Sequence, residues 1–214
     1  MTDNSSAAAP GAAPHVAIVD DDPALRDTLT MLFETSGYRV STLESVEALL
    51  DNPEALGAAC LVLDHTLPGK QGVDALETLR ERGPLPAIVV LTGFGTIPLA
   101  VRAVRSGAFE FLEKPVEPDV LLDVVARAVS HSQARGEAAA VEAEARERLA
   151  GLTPREREVL AHMLGGAPSK AIAAKLDISP RTVEIHRGRV MDKLGCRGPV
   201  ELFRRYADLI STEA

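Results

Sequence analysis

The sequence contains few cysteines, no long apolar run and no signal-peptide pattern. Among 214 residues only Cys60 and Cys196 are cysteines, and they lack the close spacing of metal ligands. No stretch approaches the ~18 consecutive apolar residues that a membrane span requires. The first residues contain neither the basic nor the apolar segment of a secretory signal. We therefore expect a cytoplasmic protein from a reducing compartment, with no membrane partner.

Basic residues are also too few to balance the acidic ones, but the deficit is uneven. The chain has 23 basic and 31 acidic side chains, a net charge of −8, which taken alone argues against a nucleic-acid partner. Residues 1–130 hold 9 basic and 19 acidic side chains (−10), residues 131–150 hold 3 and 4 (−1), and residues 151–214 hold 11 and 8 (+3). An acidic part followed by a basic part indicates two domains with different partners.

Composition divides the chain into four segments. Residues 1–14 are rich in Ala, Ser and Pro and predict a disordered leader, followed by a first domain over 15–130. Residues 131–150 have no Pro and are rich in Ala, Glu and Arg, which predicts a helical linker that is broken or bent near Gly136. A flexible tether is the alternative. A second domain occupies residues 151–214.

Apolar runs of strand length alternate with helical patterns in the first domain. The runs are Val16–Val19, Tyr38–Thr42, Cys60–Leu63, Ala87–Leu91 and Phe109–Leu112. Helical patterns lie over 23–35, 45–51, 72–82 and 97–106, and a last one begins near Pro118. Continuous apolar strands are typical of a parallel sheet that is buried on both faces. The pattern predicts an α/β domain with a five-stranded, doubly wound parallel sheet.

Acidic, hydroxyl and amino side chains stand at the ends of these strands. Asp20-Asp21-Asp22 follow the first strand, Asp64 the third, Thr92 the fourth and Lys114 the fifth. The carboxyl ends of parallel strands meet at one edge of the sheet, where ligands bind. Several carboxylates at one edge indicate a Mg²⁺ site, and a Lys and a hydroxyl beside them suit a phosphoryl group. A carboxylate in this setting can act as a nucleophile and form an acyl phosphate.

In order and spacing these residues resemble the receiver domain of two-component response regulators. Residues 64–72 resemble the D-x-x-x-P-x-x-x-G loop of that family, residues 107–111 resemble its G-A-x-x-[FY] segment, and Pro115 stands where the family has a cis peptide. The resemblance implies a flavodoxin-like receiver in which a sensor histidine kinase phosphorylates Asp64.

The resemblance also implies a role for each site residue. Mg²⁺ is expected to be held by Asp20, Asp21, Asp64 and the backbone carbonyl of Thr66. Lys114 is expected to pair with the phosphoryl oxygens. Thr92 is expected to hydrogen-bond the phosphoryl group, with Phe111 following it inward.

The basic segment has the pattern of a helix-turn-helix. Thr153, Pro154 and Glu156 form a capping box at a helix start, and Gly165-Gly166 end that helix. Ser169 is expected to cap a short helix over Lys170–Leu176, and after a three-residue turn Ser179-Pro180 begin a helix that ends at Leu194. Two helices joined by such a turn predict a DNA-binding unit whose second helix enters the major groove.

Helical periodicity assigns contacts to the polar face of that second helix. Arg181, Glu184 and Ile185 are predicted to contact base edges. The absence of a side chain at Gly188 allows close approach to the groove. Residues predicted to contact phosphates are Lys170, Thr182, Arg189 and Lys193. A solvated, charged helix face is the alternative to this interpretation.

The second domain resembles the LuxR-type DNA-binding domain, and the whole chain resembles the NarL/FixJ family of response regulators, its FixJ branch in particular. The resemblance implies a transcription regulator that binds double-stranded promoter DNA, with activation the commoner outcome and RNA polymerase a further partner. It implies a homodimer on phosphorylation, through the face built from helix 97–106, strand 109–112 and helix 118–130. Charged residues on or near that face are Arg102, Arg105, Glu110, Glu113 and Asp119.

Two functions of other classes stay open at this point. A Mg²⁺-dependent phosphohydrolase would use an Asp nucleophile, but it would usually need a second Asp two residues later, where Thr66 stands. A protein-interaction module would use the first domain as a scaffold and would not bind DNA. We expect a regulator and not an enzyme.

Overall fold

The computed structural model describes residues 13–68, 72–81 and 83–211, which divide into two compact units within Met1–Arg135 and Gly136–Ala214. The predicted leader over 1–14 lies outside the described residues except for its last two positions. Residues 69–71 of the D-x-x-x-P-x-x-x-G stretch also lie outside them.

The first unit is built on a parallel sheet, which confirms the predicted fold class. In the described residues its strands are β1 (His15–Val19), β2 (Arg39–Leu43), β3 (Cys60–Asp64), β4 (Ala87–Thr92) and β5 (Glu110–Glu113). Their spatial order is β2-β1-β3-β4-β5, and every neighbouring pair is parallel. The order reverses direction at β1 and β3, so the carboxyl ends of these two strands flank the point where such sheets bind ligands.

Helices cover both faces of the sheet. They are α1 (Pro23–Thr35), α2 (Val46–Leu50), α3 (Pro53–Leu56), α4 (Gly72–Glu81), α5 (Ile97–Arg105) and the first part of α6 (Pro118–Ala150). The short α3 was not predicted. It begins because the Asn52 side chain accepts a hydrogen bond from the Ala55 N–H and Pro53 occupies the first helical position.

Two apolar layers hold the helices on the sheet. On one face Leu61 and Leu63 of β3 pack with Leu76 and Leu79 of α4. On the other face Val62 packs in the cluster that includes Phe33 of α1 and Val125 of α6. Side chains of β3 are therefore buried in both directions, which explains its unbroken apolar run.

The helix α6 runs for 33 residues and is not interrupted at Gly136, where we expected a break or bend. One Gly in a helix costs about 1 kcal/mol relative to Ala. The surrounding Ala, Glu and Arg favour the helix, and Arg146 pairs with Glu142 one turn away. A single Gly is therefore too weak to end the helix.

The second unit contains α7 (Pro154–Leu164), α8 (Ser169–Leu176), α9 (Pro180–Leu194) and α10 (Pro199–Ser211). The capping box at Thr153 and Glu156 is present. Ser169 does not cap α8: Pro168 holds the cap position and Ser169 is the first helical residue. The helix α10, which helical periodicity did not predict, buries Leu202 and Tyr206 in a core with Leu194.

In the described part of the chain no helix is long and apolar enough to cross a membrane.

Candidate functional site

Three aspartates meet at the carboxyl edge of the sheet. Asp20 follows β1 directly and Asp64 is the last residue of β3; both are buried, whereas Asp21 is exposed. One carboxylate oxygen from each of the three lies within 4.8 Å of the others. The parallel pairing of β1 with β3 places these strand ends side by side, as predicted.

Lys114, which follows β5, reaches the same cluster. Its Nζ lies 2.8 Å from Oδ2 of Asp20 and 3.1 Å from Oδ1 of Asp64. The peptide bond between Lys114 and Pro115 is cis. Burial lowers the pKa of Lys114, but the neighbouring carboxylates of Asp20 and Asp64 outweigh burial and raise that pKa above its ordinary value. The ammonium group is therefore charged at neutral pH.

The donor set fits a hard cation. Oδ1 of Asp64 is buried and forms no hydrogen bond with any residue that the structure describes, although the Lys114 ammonium lies 3.1 Å from it. A buried carboxylate oxygen without a hydrogen bond calls for another partner. Since two further carboxylates lie beside it, a divalent ion with a preference for oxygen suits the position. Thr66, whose carbonyl was predicted as a further ligand, follows two residues later with an exposed side chain.

Thr92 is fully buried at the end of β4, and its hydroxyl accepts a hydrogen bond of 3.2 Å from the Phe94 N–H. The Phe94 ring is 80% exposed. Phe111 of β5 is half-buried and packs against the apolar layer that contains α4. Thr92 thus stands at the same sheet edge as the aspartates, and its hydroxyl is bonded to the loop that leads into α5.

Close backbone packing explains why glycine stands at position 72, the last position of the D-x-x-x-P-x-x-x-G stretch. A Cβ added there would lie 2.4 Å from the Asp64 carbonyl oxygen and 2.9 Å from the His65 Cα. The Gly72 N–H donates a 2.9 Å hydrogen bond to the His65 carbonyl. Only a residue without a side chain allows α4 to begin this close to the end of β3.

The polar face of α9 lies where the helical periodicity predicts it. Val183, Val190 and Leu194 are fully buried. Exposed residues on the helix include Arg181, Glu184, Ile185, Gly188 and Arg189. Lys170 on α8 is exposed, whereas Thr182 is half-buried and its hydroxyl lies 2.8 Å from that of Ser179.

Lys193, a predicted phosphate contact, has partners within its own domain. Its Nζ lies 2.7 Å from Oε2 of Glu156 and 3.2 Å from the Gly151 carbonyl. Glu156 is 3% exposed. The hydrogen bond from Lys193 has the largest effect on the pKa of Glu156 and the hydrogen bond from the Thr153 N–H the next largest; together they lower that pKa to about 2. The phosphate contact of Lys193 stays a prediction, since its ammonium would have to leave or share these partners to reach DNA.

The last carbonyl of α9 has further partners that sequence reasoning missed. The Leu194 carbonyl accepts hydrogen bonds from Nη1 of Arg148 at 3.2 Å and from the Tyr206 hydroxyl at 3.0 Å. Both donors belong to other helices, so no local pattern could indicate them. The Lys193–Glu156 pair was missed in the same way, because Glu156 was interpreted only as part of a helix start.

Known families match both parts of the chain. Residues 16–126 match the response regulator receiver domain, and residues 150–206 match the LuxR family of bacterial regulatory proteins. The chain is 38% identical over 191 residues to the transcriptional regulatory protein FixJ of Bradyrhizobium diazoefficiens, covering 89% of this chain and 93% of the relative. It is 41% identical over 195 residues to the C4-dicarboxylate transport transcriptional regulatory protein DctR of Rhodobacter capsulatus, covering 88% and 97%.

Solved structures agree with these matches. The response regulator StyR is similar with a TM-score of 0.84 at 34% identity, covering 92% of this chain and 100% of StyR. Full-length FixJ from B. japonicum has a TM-score of 0.55 at 37% identity, covering 89% and 94%. The chain therefore belongs to the response regulators that join a receiver domain to a LuxR-type DNA-binding domain, and it is homologous to FixJ and related transcriptional regulators.

Proposed function

We propose that a sensor histidine kinase phosphorylates Asp64 and that phosphorylation makes the chain bind promoter DNA as a homodimer. The observation that carries this proposal is the setting of Asp64. Its carboxylate is buried at the end of β3 and lies beside two carboxylates and the Lys114 ammonium, and one of its oxygens has no hydrogen bond to any described residue. A carboxylate in this position can attack a phosphoryl group and become an acyl phosphate.

Asp20, Asp21, Asp64 and the Thr66 carbonyl would hold Mg²⁺. When bound, the ion offsets negative charge on the carboxylates and on the incoming phosphoryl group. Lys114 already contacts Asp64 and would pair with the phosphoryl oxygens. Asp64, Asp20 and Lys114 thus supply the nucleophile, a metal ligand and a cation from three strand ends.

The added phosphoryl group carries about −1.5 to −2 charges. We propose that the Thr92 hydroxyl then leaves the Phe94 N–H and bonds the phosphoryl oxygens, with Phe111 moving further inward. Since Thr92 is tied to the loop before α5, this exchange would move α5. To convert 1% active protein to 99% active, phosphorylation must favour the active state by about 5.5 kcal/mol.

The proposed dimer face comprises α5, β5 and the first part of α6. Ile97, Val104 and Val120 support it as exposed apolar side chains on these helices. Two of the charged residues expected there are engaged within the protomer: Arg102 pairs with Asp74, and Glu110 pairs with Arg127. We therefore place the apolar side chains at the centre of the interface.

For DNA we propose that α9 enters the major groove. Arg181, Glu184 and Ile185 would contact base edges, and Lys170, Thr182 and Arg189 would contact phosphates. Gly188 would allow the helix backbone to approach the groove. Two protomers would bind half-sites about 10 bp apart.

The remaining assignments follow from this mechanism. We propose a receiver over 15–130, a helical linker over 131–150 and a DNA-binding domain over 151–214. The regulator would act in the cytoplasm, where the DNA lies, and would activate transcription with RNA polymerase as a partner. We propose no enzymatic turnover of phosphate esters, because Thr66 stands where a phosphohydrolase has its second Asp.

A promoter footprint tests the proposal. Wild-type protein should protect a two-fold-related site in its own promoter region, and a phosphoryl mimic such as beryllofluoride with Mg²⁺ should strengthen that protection. Asp64→Asn should bind weakly with or without the mimic. An equal footprint for both proteins under both conditions would remove Asp64 from the mechanism, and an Asp64→Asn protein that still hydrolysed phosphate esters would favour an enzyme.

A further inference from the structure

A groove of about 350 Å³ runs between α4 and α5, outside the carboxylate cluster. Its lining includes one acidic, two apolar and three basic residues: Glu77, Pro98, Val101, Arg80, Arg102 and Arg105. All six are exposed, so the groove is shallow and open to solvent.

The groove is basic within an acidic domain. Residues 1–130 contain nine basic side chains against nineteen acidic ones, and three of the nine line this groove. Arg102 pairs with Asp74 of α4. The Arg80 and Arg105 side chains have no ion pair and no hydrogen bond to any residue that the structure describes.

Other basic residues of the domain are engaged elsewhere. Arg39 pairs with Glu54, Arg127 pairs with Asp123, and Lys114 contacts the aspartate cluster. Arg26 donates to the Asp20 carbonyl. In the described part of residues 15–130, the guanidinium groups with neither an ion pair nor a hydrogen bond are therefore the two in the α4–α5 groove.

The groove occupies a different side of α5 from the proposed dimer face. With about 100° of rotation per residue, Pro98, Arg102 and Arg105 fall on the side toward α4, and Val101 lies at its margin. Ile97 and Val104 fall on another side and are more than half exposed. The groove can therefore be occupied without covering the centre of the dimer face.

We propose that this groove binds an acidic peptide segment of a partner protein. Guanidinium groups bind carboxylates with two parallel hydrogen bonds, and no described residue engages those of Arg80 and Arg105. Pro98 and Val101 supply an apolar surface for a neighbouring side chain of the peptide. A shallow groove buries too little of a small molecule's surface for tight binding. An extended peptide can make contacts along the whole length of the groove.

Charge decides between an acidic partner and a second copy of this chain. A two-fold interface centred on the groove would bring its arginines opposite the same arginines, and like charges across an interface oppose association. An acidic segment meets the opposite charge, and its association should weaken as salt rises.

The test uses fluorescence anisotropy on the full chain with a short labelled peptide of Glu and Leu. The double variant Arg80→Gln/Arg105→Gln should bind this peptide at least about tenfold more weakly, as expected for the loss of a charge-assisted hydrogen bond. The double variant Arg39→Gln/Arg127→Gln removes the same charge elsewhere and should bind like wild type. A matched peptide with Gln in place of Glu should not bind.

Three outcomes would overturn the proposal. Wild-type affinity in both double variants would show that the groove is not the site, and equal losses in both would show a non-specific effect of net charge. Displacement of the peptide by an equal concentration of inorganic phosphate would assign the groove to a phosphate ligand instead. Both variants alter exposed side chains, so their unfolding midpoints should match wild type and exclude misfolding.

Discussion

The ammonium of Lys193 lies 2.7 Å from a carboxylate oxygen of Glu156, which joins the last turn of α9 to the first turn of α7. Glu156 is buried and also accepts the Thr153 N–H at 2.8 Å. One side chain therefore completes the cap of α7 and anchors the end of the helix that we propose to contact DNA.

Replacement of this carboxylate should destabilise the DNA-binding domain. Glu156→Gln keeps the size of the side chain but leaves Lys193 without its anionic partner, and we expect a loss of about 1–3 kcal/mol in the free energy of unfolding. Urea unfolding followed by circular dichroism measures it. Glu158→Gln, which removes an exposed carboxylate two residues away, is the control and should change stability by less than about 0.5 kcal/mol. Equal stability of the two variants would contradict the assignment.

The same pair predicts a pH dependence. The pKa of Glu156 is lowered from 4.5 to about 2 in the folded protein, so the folded state favours the ionised carboxylate. Its contribution to stability is fully present above about pH 4.5 and is lost as the pH falls toward 2. The stability difference between wild type and Glu156→Gln, measured by urea unfolding over this range, should shrink as the pH falls. A constant difference would contradict the lowered pKa.

Lys114 should compete with Mg²⁺ for the carboxylate cluster. Lys114→Met removes an ammonium that lies 2.8 Å from Asp20 and 3.1 Å from Asp64. Two unit charges about 4 Å apart interact by about 4 kcal/mol at an effective dielectric constant of about 20, so we expect Mg²⁺ to bind about tenfold or more tightly. Calorimetric titration measures this, with Arg127→Met as the control. Unchanged or weaker binding by Lys114→Met would show that the ammonium does not compete.

Gly188 should separate stability from DNA binding. A Cβ at this exposed helical position meets no atom within 4 Å, so Gly188→Ala should stabilise α9 by about 0.8–1 kcal/mol. If the backbone approaches the groove here, the added methyl should weaken promoter binding by about 1 kcal/mol, roughly fivefold. Gly136→Ala, also with nothing within 4 Å, should give the stability gain alone. Promoter affinity that Gly188→Ala leaves unchanged would contradict the close approach.

Replacement of Arg181 and replacement of Arg189 should weaken DNA binding in different ways. Arg181→Ala should cost about 1–3 kcal/mol on the cognate operator and little on unrelated DNA, since base contacts carry the sequence information. Arg189→Ala should weaken binding to all DNA, and it should reduce the slope of log K against log salt concentration by about 1. Gel-shift titrations on both DNAs at several salt concentrations distinguish the two. Equal losses on both DNAs for Arg181 would move it to the phosphate contacts.

Local patterns in the sequence were sufficient to predict much of the fold and of the residues at the sheet edge. The apolar runs of β1, β3, β4 and β5 predicted buried parallel strands, and the positions of Asp20, Asp64, Thr92 and Lys114 at the ends of these four strands predicted one shared edge. This works because a parallel sheet brings every carboxyl strand end to the same side. The helix-turn-helix was equally readable, because caps and turns are made by residues close in sequence.

Periodicity could not indicate partners that come from separate elements. The phosphate contact of Lys193 stays a prediction, but the pattern gave no sign that the packing of α9 against α7 brings its ammonium to Glu156. The position of Arg102 on or near a dimer face also stays a prediction, and the pattern gave no sign that α4 supplies Asp74 as its partner. A helical wheel gives the direction of a side chain about one axis but not which helix lies in that direction.

The sequence by itself therefore determined the family, the order of the domains and which carboxylates and hydroxyl stand at the sheet edge. The tertiary structure alone decided how the charges pair in the described residues: Lys114 with Asp20 and Asp64, and Lys193 with Glu156, while Arg80 and Arg105 pair with none of them. The reason is physical. Secondary structure follows from neighbours along the chain, but the strength of an ion pair depends on a few ångströms between atoms that only the packing of distant elements brings together.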